Sequence, residues 1–175
     1  MLLSVFFFVF SWRPLHNPRS HGFYRFFAFE GILFLILLNI PFWTKKPFSP
    51  LQLVSWLLLS LSIFFVVQGF YLLRKRGGSG TRGADSENLG FENTSTLVTD
   101  GIYKYIRHPL YSSLLLLAWG AFLKHISICG IAAVLITSAF LVATAKTEER
   151  ENISFFGSSY EEYIKKTKMF IPFLF

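Results

Sequence analysis

The 175-residue chain has a single cysteine, Cys129, which excludes a disulfide framework and any cysteine-based metal centre. Because it falls inside an apolar run, it is expected to act as a small buried hydrophobe. Charge is also scarce: 15% of residues are Asp, Glu, Lys or Arg, against 53% hydrophobic, and mean hydropathy is +0.47. There is no Gly-Lys-Ser/Thr phosphate loop, and the strand, Gly-x-Gly and helix order of soluble nucleotide-binding proteins is missing. The Gly-rich stretch RKRGGSGTRG at 74–83 is a flexible basic segment, not a phosphate cradle. No internal repeat stands out. Met1–Trp12 has neither a basic leader nor a small-residue cleavage site, so it is expected to be a partial or tilted helix rather than a signal peptide.

What the chain does have is uncharged length. No charged side chain occurs from Pro47 to Leu73, and Ile126–Ala145 is a second such run. A helix rises about 1.5 Å per residue, so each can cross a hydrocarbon core of roughly 30 Å. Phe23–Trp43 is a third candidate, carrying Arg25 near its start and Glu30 inside. Leu110–Leu123 is a shorter fourth. The expected fold is therefore an all-α membrane protein with four to five transmembrane helices. Glu30 stays open between a boundary acid facing the cytoplasm and a functional group inside a span.

Alternating the runs across the bilayer places 14 of the 17 Lys and Arg residues on one side and only Lys45, Lys46 and Lys124 on the other. That asymmetry marks the basic side as cytoplasmic, and the net charge of +7 is a topology signal rather than a nucleic-acid footprint. The expected organisation is one polytopic domain over 1–175. It has N-terminal spans to residue 73, a cytosolic loop at 74–108, a helical hairpin at 109–150 and a cytosolic tail at 151–175. Gly157 should end the last long helix, and the tail reads as an interfacial helix with Tyr160 and Tyr163 on one face.

The segment GIYKYIRHPLYSS, residues 101–113, poses an electrostatic question. Pro109 suits the first turn of a helix, which places Arg107 and His108 at an N-terminus, where carboxylates are the favoured neighbours. Either the two cations snorkel into headgroups or they help to hold an anionic ligand. A second polar cluster, Lys146–Glu151, leaves the hairpin at the same depth. Because the two helices are antiparallel and joined by a short turn, Arg107 and His108 should face Glu148 and Glu149. Taken singly, each group has a plainer reading: snorkelling for the cations, a solvated helix end for the acids, an aromatic belt for Tyr103, Tyr105 and Tyr111.

Three ordered blocks narrow the choice. LVTDGIYKYIRHPLY at 97–111, the Glu pair at 148–149 and FGSSYEEYIKKTKMFIP at 156–172 resemble the isoprenylcysteine carboxyl methyltransferase family. That family belongs with the phospholipid N-methyltransferases and, more distantly, the sterol reductases. The first half of the chain matches only as hydrophobic helices. The resemblance implies an integral membrane methyltransferase that binds S-adenosylmethionine in a cytosol-facing pocket. By motif position, Leu97, Val98, Tyr103, His108, Pro109, Leu110, Tyr111 and Glu148 would bind that cofactor. Arg107 would help to hold its carboxylate, and Glu149 is the candidate base for an amine acceptor. Thr144 stands where the family usually has an arginine one turn before the Glu pair. The implied acceptor is a lipid or lipid-linked molecule, methylated on a carboxylate oxygen or an amine nitrogen. No metal and no nucleic-acid partner is expected, and the host membrane would be a cell or inner membrane. Alternatives are an NADPH-dependent enzyme of the sterol reductase type and a non-catalytic membrane scaffold.

Overall fold

The computed structural model of the protein describes residues 2–78 and 94–172. The Gly-rich segment beyond Gly78, including Arg82, lies outside the described residues. The chain order is α1 (Leu2–Phe10), α2 (Trp12–Leu15), α3 (His21–Asn39), α4 (Pro50–Arg76), α5 (Pro109–Phe122), α6 (Ile128–Phe156) and α7 (Ser158–Lys166). Short 3-10 turns cover Ile40–Phe42 and Gly101–Lys104. The helices α3, α4 and α6 are long and apolar enough to cross a membrane, which makes this an integral membrane fold. At 14 residues, α5 is only about 21 Å long. The N-terminal run is shorter still, a nine-residue helix followed by one turn.

Sequence explains the ends. Pro50 and Pro109 open α4 and α5, where a missing N–H is harmless. Ser127 caps α6 by accepting from the Gly130 N–H at 3.1 Å. At Gly157 the backbone turns to φ +60°, which stops α6 and redirects the chain into α7.

α5 is the hub. α4 packs along it, α3 and α6 pack together and against it, and α3 and α4 share no comparable interface. The α4–α5 seam is polar where lipid could not reach. Gln52, Ser55, Leu59, Ser62 and Gly69 form the buried face of α4. Ser55 Oγ donates to the Gly120 carbonyl at 2.7 Å, and Ser62 Oγ to that of Ser113 at 2.8 Å. Small residues let the backbones approach this closely. A Cβ on Gly120 would sit 2.9 Å from the Leu59 side chain. The apolar core joins Ile32 and Leu35 of α3 to Ala118, Ala121 and Phe122 of α5 and Val134 of α6.

At the α5–α6 turn, Lys124 is buried with its Nζ 3.3 Å from the Trp56 ring centre and 3.1 Å from Gln52 Oε1. It fastens the turn to α4. Glu30 faces α1, where Ser4 Oγ donates to its Oε2 at 2.5 Å. Cys129 corrects the expectation of a buried thiol: it occupies the outer face of the first turn of α6 and is exposed.

The tail is part helix and part extended chain. α7 buries Tyr160 and Tyr163 and exposes its polar face. Beyond it the backbone returns alongside residues 105–108. Lys168 N–H donates to the Tyr105 carbonyl at 3.0 Å, and the N–H groups of Arg107 and His108 donate to Lys168 and Met169 at 2.8 and 3.2 Å. Ser112 Oγ adds a 2.9 Å bond to the Phe170 carbonyl.

Candidate active site

Around the N-terminal end of α5, where the tail closes over the bundle, lies a cavity of about 320 Å³. Each residue that the sequence motifs single out for a cofactor lies on its wall: Leu97, Val98, Tyr103, His108, Pro109, Leu110, Tyr111 and Glu148. The wall is completed by α3 (Arg25, Phe29), α4 (Val66, Phe70, Leu73), the end of α6 (Asn152, Phe156) and α7 (Tyr160, Tyr163). Sequence reasoning assigned none of these residues to the site, although Phe156, Tyr160 and Tyr163 fall within its third motif block. The available signal for Arg25 was a cation inside an apolar run, four residues after His21.

Local chemistry holds the wall in place. Gly101 adopts φ +57°, and its bare Cα lies against Leu72, where a Cβ would meet Leu72 Cδ1 at 2.7 Å. This fold-back packs Val98 and Tyr103 on Leu72. Tyr103 Oη donates to the Gly69 carbonyl at 3.3 Å, and Tyr163 Oη to the Tyr103 carbonyl at 2.6 Å. Burial pushes the phenols of Tyr103, Tyr160 and Tyr163 well above their ordinary range, and the Glu148 carboxylate adds to the shift at Tyr103 and Tyr160. All three are neutral donors at physiological pH.

Arg107 and His108, at the start of α5, meet carboxylates on another helix. Arg107 Nε donates to Glu149 Oε1 at 2.6 Å. Its Nη1 donates to the carbonyls of Thr167 at 2.6 Å and Ile164 at 3.3 Å. His108 stands between the acids, with Nε2 3.3 Å from Glu149 Oε1 and Nδ1 3.9 Å from Glu148 Oε2. Its ring stacks on Tyr111 with centroids 5.5 Å apart. So the acids that an N-terminus favours come from α6.

These contacts set Arg107 and Glu149 apart from the other motif residues. Glu149 is absent from the cavity wall, and its Oε1 meets both Arg107 Nε and His108 Nε2, so it is poorly placed to take a proton from a ligand. Arg107 does reach the wall, but its Nε and Nη1 donors serve Glu149 and the tail. Glu148 is the carboxylate of the pair that lines the cavity. Thr144 is buried, its hydroxyl bonded to the Phe140 carbonyl at 2.7 Å, and it does not line the cavity.

One carboxylate, an imidazole, two guanidinium groups and neutral phenols interrupt walls of Leu, Val, Phe and Pro. Among the described residues no group of His, Cys, Asp and Glu has the geometry of a metal site.

Comparison with known sequences gives the same region. A phospholipid methyltransferase profile matches residues 50–159, from the start of α4 into α7. The chain belongs to the phospholipid methyltransferase family. Within the wider set of this family's relatives, the protein-S-isoprenylcysteine O-methyltransferase of Schizosaccharomyces pombe is 40% identical over 79 residues, 45% of this chain and 34% of that one. The Homo sapiens protein of the same name is 30% identical over 168 residues, covering 91% of this chain and 58% of its own length. The methanethiol S-methyltransferase of Crocosphaera subtropica is 30% identical over 76 residues, 43% of this chain and 29% of its own. The chain thus spans between 29% and 58% of the length of these curated relatives. No solved structure matches it. The family match covers α4, α5, α6 and the entry to α7 and leaves out α3, the helix that carries Arg25.

Proposed function

We propose that this chain is a single-domain, integral membrane methyltransferase that takes its methyl group from S-adenosylmethionine and acts on a lipid or lipid-linked acceptor. The observation that carries the reading is one cavity bringing Glu148, His108 and three neutral phenols together inside apolar walls at the end of the bundle. The surplus of basic residues on that side supports a cytosolic opening.

The wall fits the donor. Phe70, Phe156 and Tyr160 offer flat apolar surface for a purine, and Glu148 can accept from ribose hydroxyls or offset a positive sulfur. With Arg107 committed to Glu149, His108 and Arg25 are the other basic side chains on the wall that a carboxylate could meet. When bound, S-adenosylmethionine supplies an electrophilic methyl group. The chain's own part is positioning and exclusion of water, which suits an in-line displacement. Tyr160 and Tyr163 of α7 wall the cavity on the cytosolic side. A carboxylate acceptor needs no base, whereas an amine must lose a proton, and Glu148 is then the wall carboxylate placed to receive it.

The acceptor's route supports the lipid assignment. α3 and α4 both wall the cavity yet pack on α5 rather than on each other, and Val66 and Phe70 on the α4 side are partly open to the surroundings. An acceptor can therefore keep its chain in lipid and present only its head. Detergent-purified protein should bind S-adenosylhomocysteine and transfer labelled methyl groups to a lipid extract. Binding of a reduced nicotinamide instead would favour a reductase, and binding of neither a scaffold.

A further inference from the structure

The wall of the cavity has a slot in it. α3 and α4 pack on α5 and share no comparable interface. Phe29 of α3 and Val66 of α4 are wall residues on either side, and Leu114 of α5, the helix they share, lines the wall between them. Val66 is also 41% exposed, so this part of the wall is reached from outside. Phe29 lies eight residues into α3, and Val66 lies ten residues before the end of α4. Those steps are about 12 and 15 Å along the helix axes from the end that carries Arg107 and His108. In a bilayer that is the depth of lipid chains, not of head groups.

The α3 side of the slot is braced from behind. α1 packs on α3 and α2 and has no comparable interface with α4, α5 or α6. Its half-buried face is Ser4 and Phe7, one turn apart. The Phe7 ring lies against that of Phe29 with centroids 5.3 Å apart, and Ser4 Oγ donates to Glu30 Oε2 at 2.5 Å. Phe8 adds an edge contact to Phe26 at 6.5 Å. Glu30 Oε1 is shielded and has no hydrogen-bond partner. A carboxyl group in apolar surroundings loses much if its remaining bond is broken, so the bond to Ser4 fastens α1 to α3. Glu151 of α6 fixes the start of α3 in turn. Its Oε1 accepts from the His21 backbone N–H at 3.1 Å, and its Oε2 is 2.6 Å from His21 Nδ1.

Resting on the donor and acceptor reading above, we propose that Phe29 is the specificity residue for the acceptor's chain. It narrows the slot to one chain directly behind the head, and Phe7, Ser4 and Glu30 are the positioning residues that hold it there. Volume points the same way. The cavity holds about 320 Å³, the small end of the range of about 300–1,000 Å³ for ligand sites. With the donor inside, a branch next to the acceptor's head finds no room, so a second chain must enter the slot beside the first. The braced ring of Phe29 stands in that place. The site therefore takes single-chain lipids and disfavours lipids whose chains branch beside the head.

The test uses the full chain in detergent and two amphiphiles with the same cysteine head: S-hexadecylcysteine, with one chain, and dipalmitoyl-S-glycerylcysteine, with two. The shared head offers both an amine and a carboxylate. Wild type should bind the one-chain probe about tenfold or more tightly, the low end of what overpacking an ordered site costs. Phe29→Ala should bring the ratio close to one by tightening the two-chain probe, a gain that misfolded protein cannot show. Phe29→Leu should fall between. Phe7 and Ser4 lie off the wall. Phe7→Ala and Ser4→Ala should each lower the ratio by a smaller factor while S-adenosylhomocysteine affinity stays at the wild-type value. The proposal is overturned if wild type binds the two probes alike or binds neither, or if the ratio survives Phe29→Ala. A ratio untouched by both α1 variants removes α1 from the proposal. Any of these results with S-adenosylhomocysteine still bound leaves the methyl-donor reading standing. Protein that prefers the one-chain probe but does not bind S-adenosylhomocysteine would uphold Phe29 and remove that reading.

Discussion

Arg107 Nε meets Glu149 Oε1 at 2.6 Å, with the two side chains 8% and 13% exposed, and this pair ties the start of α5 to α6. Through Nη1 the same guanidinium holds the carbonyls that end α7. Removing one partner of a buried pair leaves the other charge stranded. Arg107→Met should therefore destabilise the protein by about 3 kcal/mol. The tail should loosen first. Thermal unfolding in detergent measures the loss, and limited proteolysis should cut within 158–172 faster than in wild type. An unchanged cleavage pattern would mean that the pair does not hold the tail.

The α4–α5 seam makes a graded prediction. Ser55→Ala removes one interhelical hydrogen bond, worth about 0.6 kcal/mol in a membrane bundle. Gly120→Val drives a branched side chain into Leu59 and the Ser55 carbonyl, which a Cβ would approach at 2.9 and 3.3 Å. Overpacking of that kind costs about 1–3 kcal/mol and should lower the melting temperature several times more than Ser55→Ala. Equal shifts would argue against close backbone approach.

The buried phenols set an alkaline limit. Tyr103, Tyr160 and Tyr163 have folded pKa values above the ordinary value near 10, so in the unfolded chain they ionise first. The folded state then binds more protons than the unfolded one, and stability falls as pH rises through about 10. Below that pH their contribution is fully present. Tyr160→Phe should flatten the alkaline limb of a stability-against-pH curve, and an unaltered limb would assign the loss to other groups.

Some of this architecture is legible in sequence because one physical signal decides it. Charge-free length alone marks Pro47–Leu73, which folds as Pro50–Arg76, and Gly157 marks the end of α6. The cavity's first-half wall is a different matter. His21 and Glu151 are 130 positions apart, and nothing periodic links them. Which member of the Glu pair faces the cavity depends on how α6 is rotated, and that rotation is fixed by packing against α3. Phe27 stacks on Phe140 at 5.0 Å, and Gly31 lies against Thr137. The return of the tail along 105–108 is made by backbone hydrogen bonds, which leave no side-chain pattern to read.

Orientation can be tested with single cysteines after Cys129→Ser removes the exposed native thiol. Thr44→Cys and Ser159→Cys both replace exposed residues, on opposite ends of the bundle. An impermeant maleimide added to intact cells should label position 44 and not 159. Labelling of 159 from outside would reverse the topology and turn the cavity away from cytosolic S-adenosylmethionine.

The Glu pair separates cavity chemistry from scaffold chemistry most directly. Glu148 lies on the wall and Glu149 lies behind it, bonded to Arg107 and 3.3 Å from His108. Glu148→Gln keeps the shape and removes the charge that would meet a cationic donor. Its melting temperature should stay near wild type, while S-adenosylhomocysteine affinity falls roughly tenfold, the value of one charge-assisted hydrogen bond. Glu149→Gln strands a guanidinium instead, so stability should drop by about 3 kcal/mol and donor affinity should weaken only as the fold loosens. Lowering the temperature should then rescue Glu149→Gln and leave Glu148→Gln impaired. Calorimetric titration beside thermal unfolding reads both quantities on the same samples. If the two variants exchange behaviours, α6 is rotated by about 100° from the arrangement described, the angle between successive helix positions. The cavity wall would then have to be redrawn around Glu149.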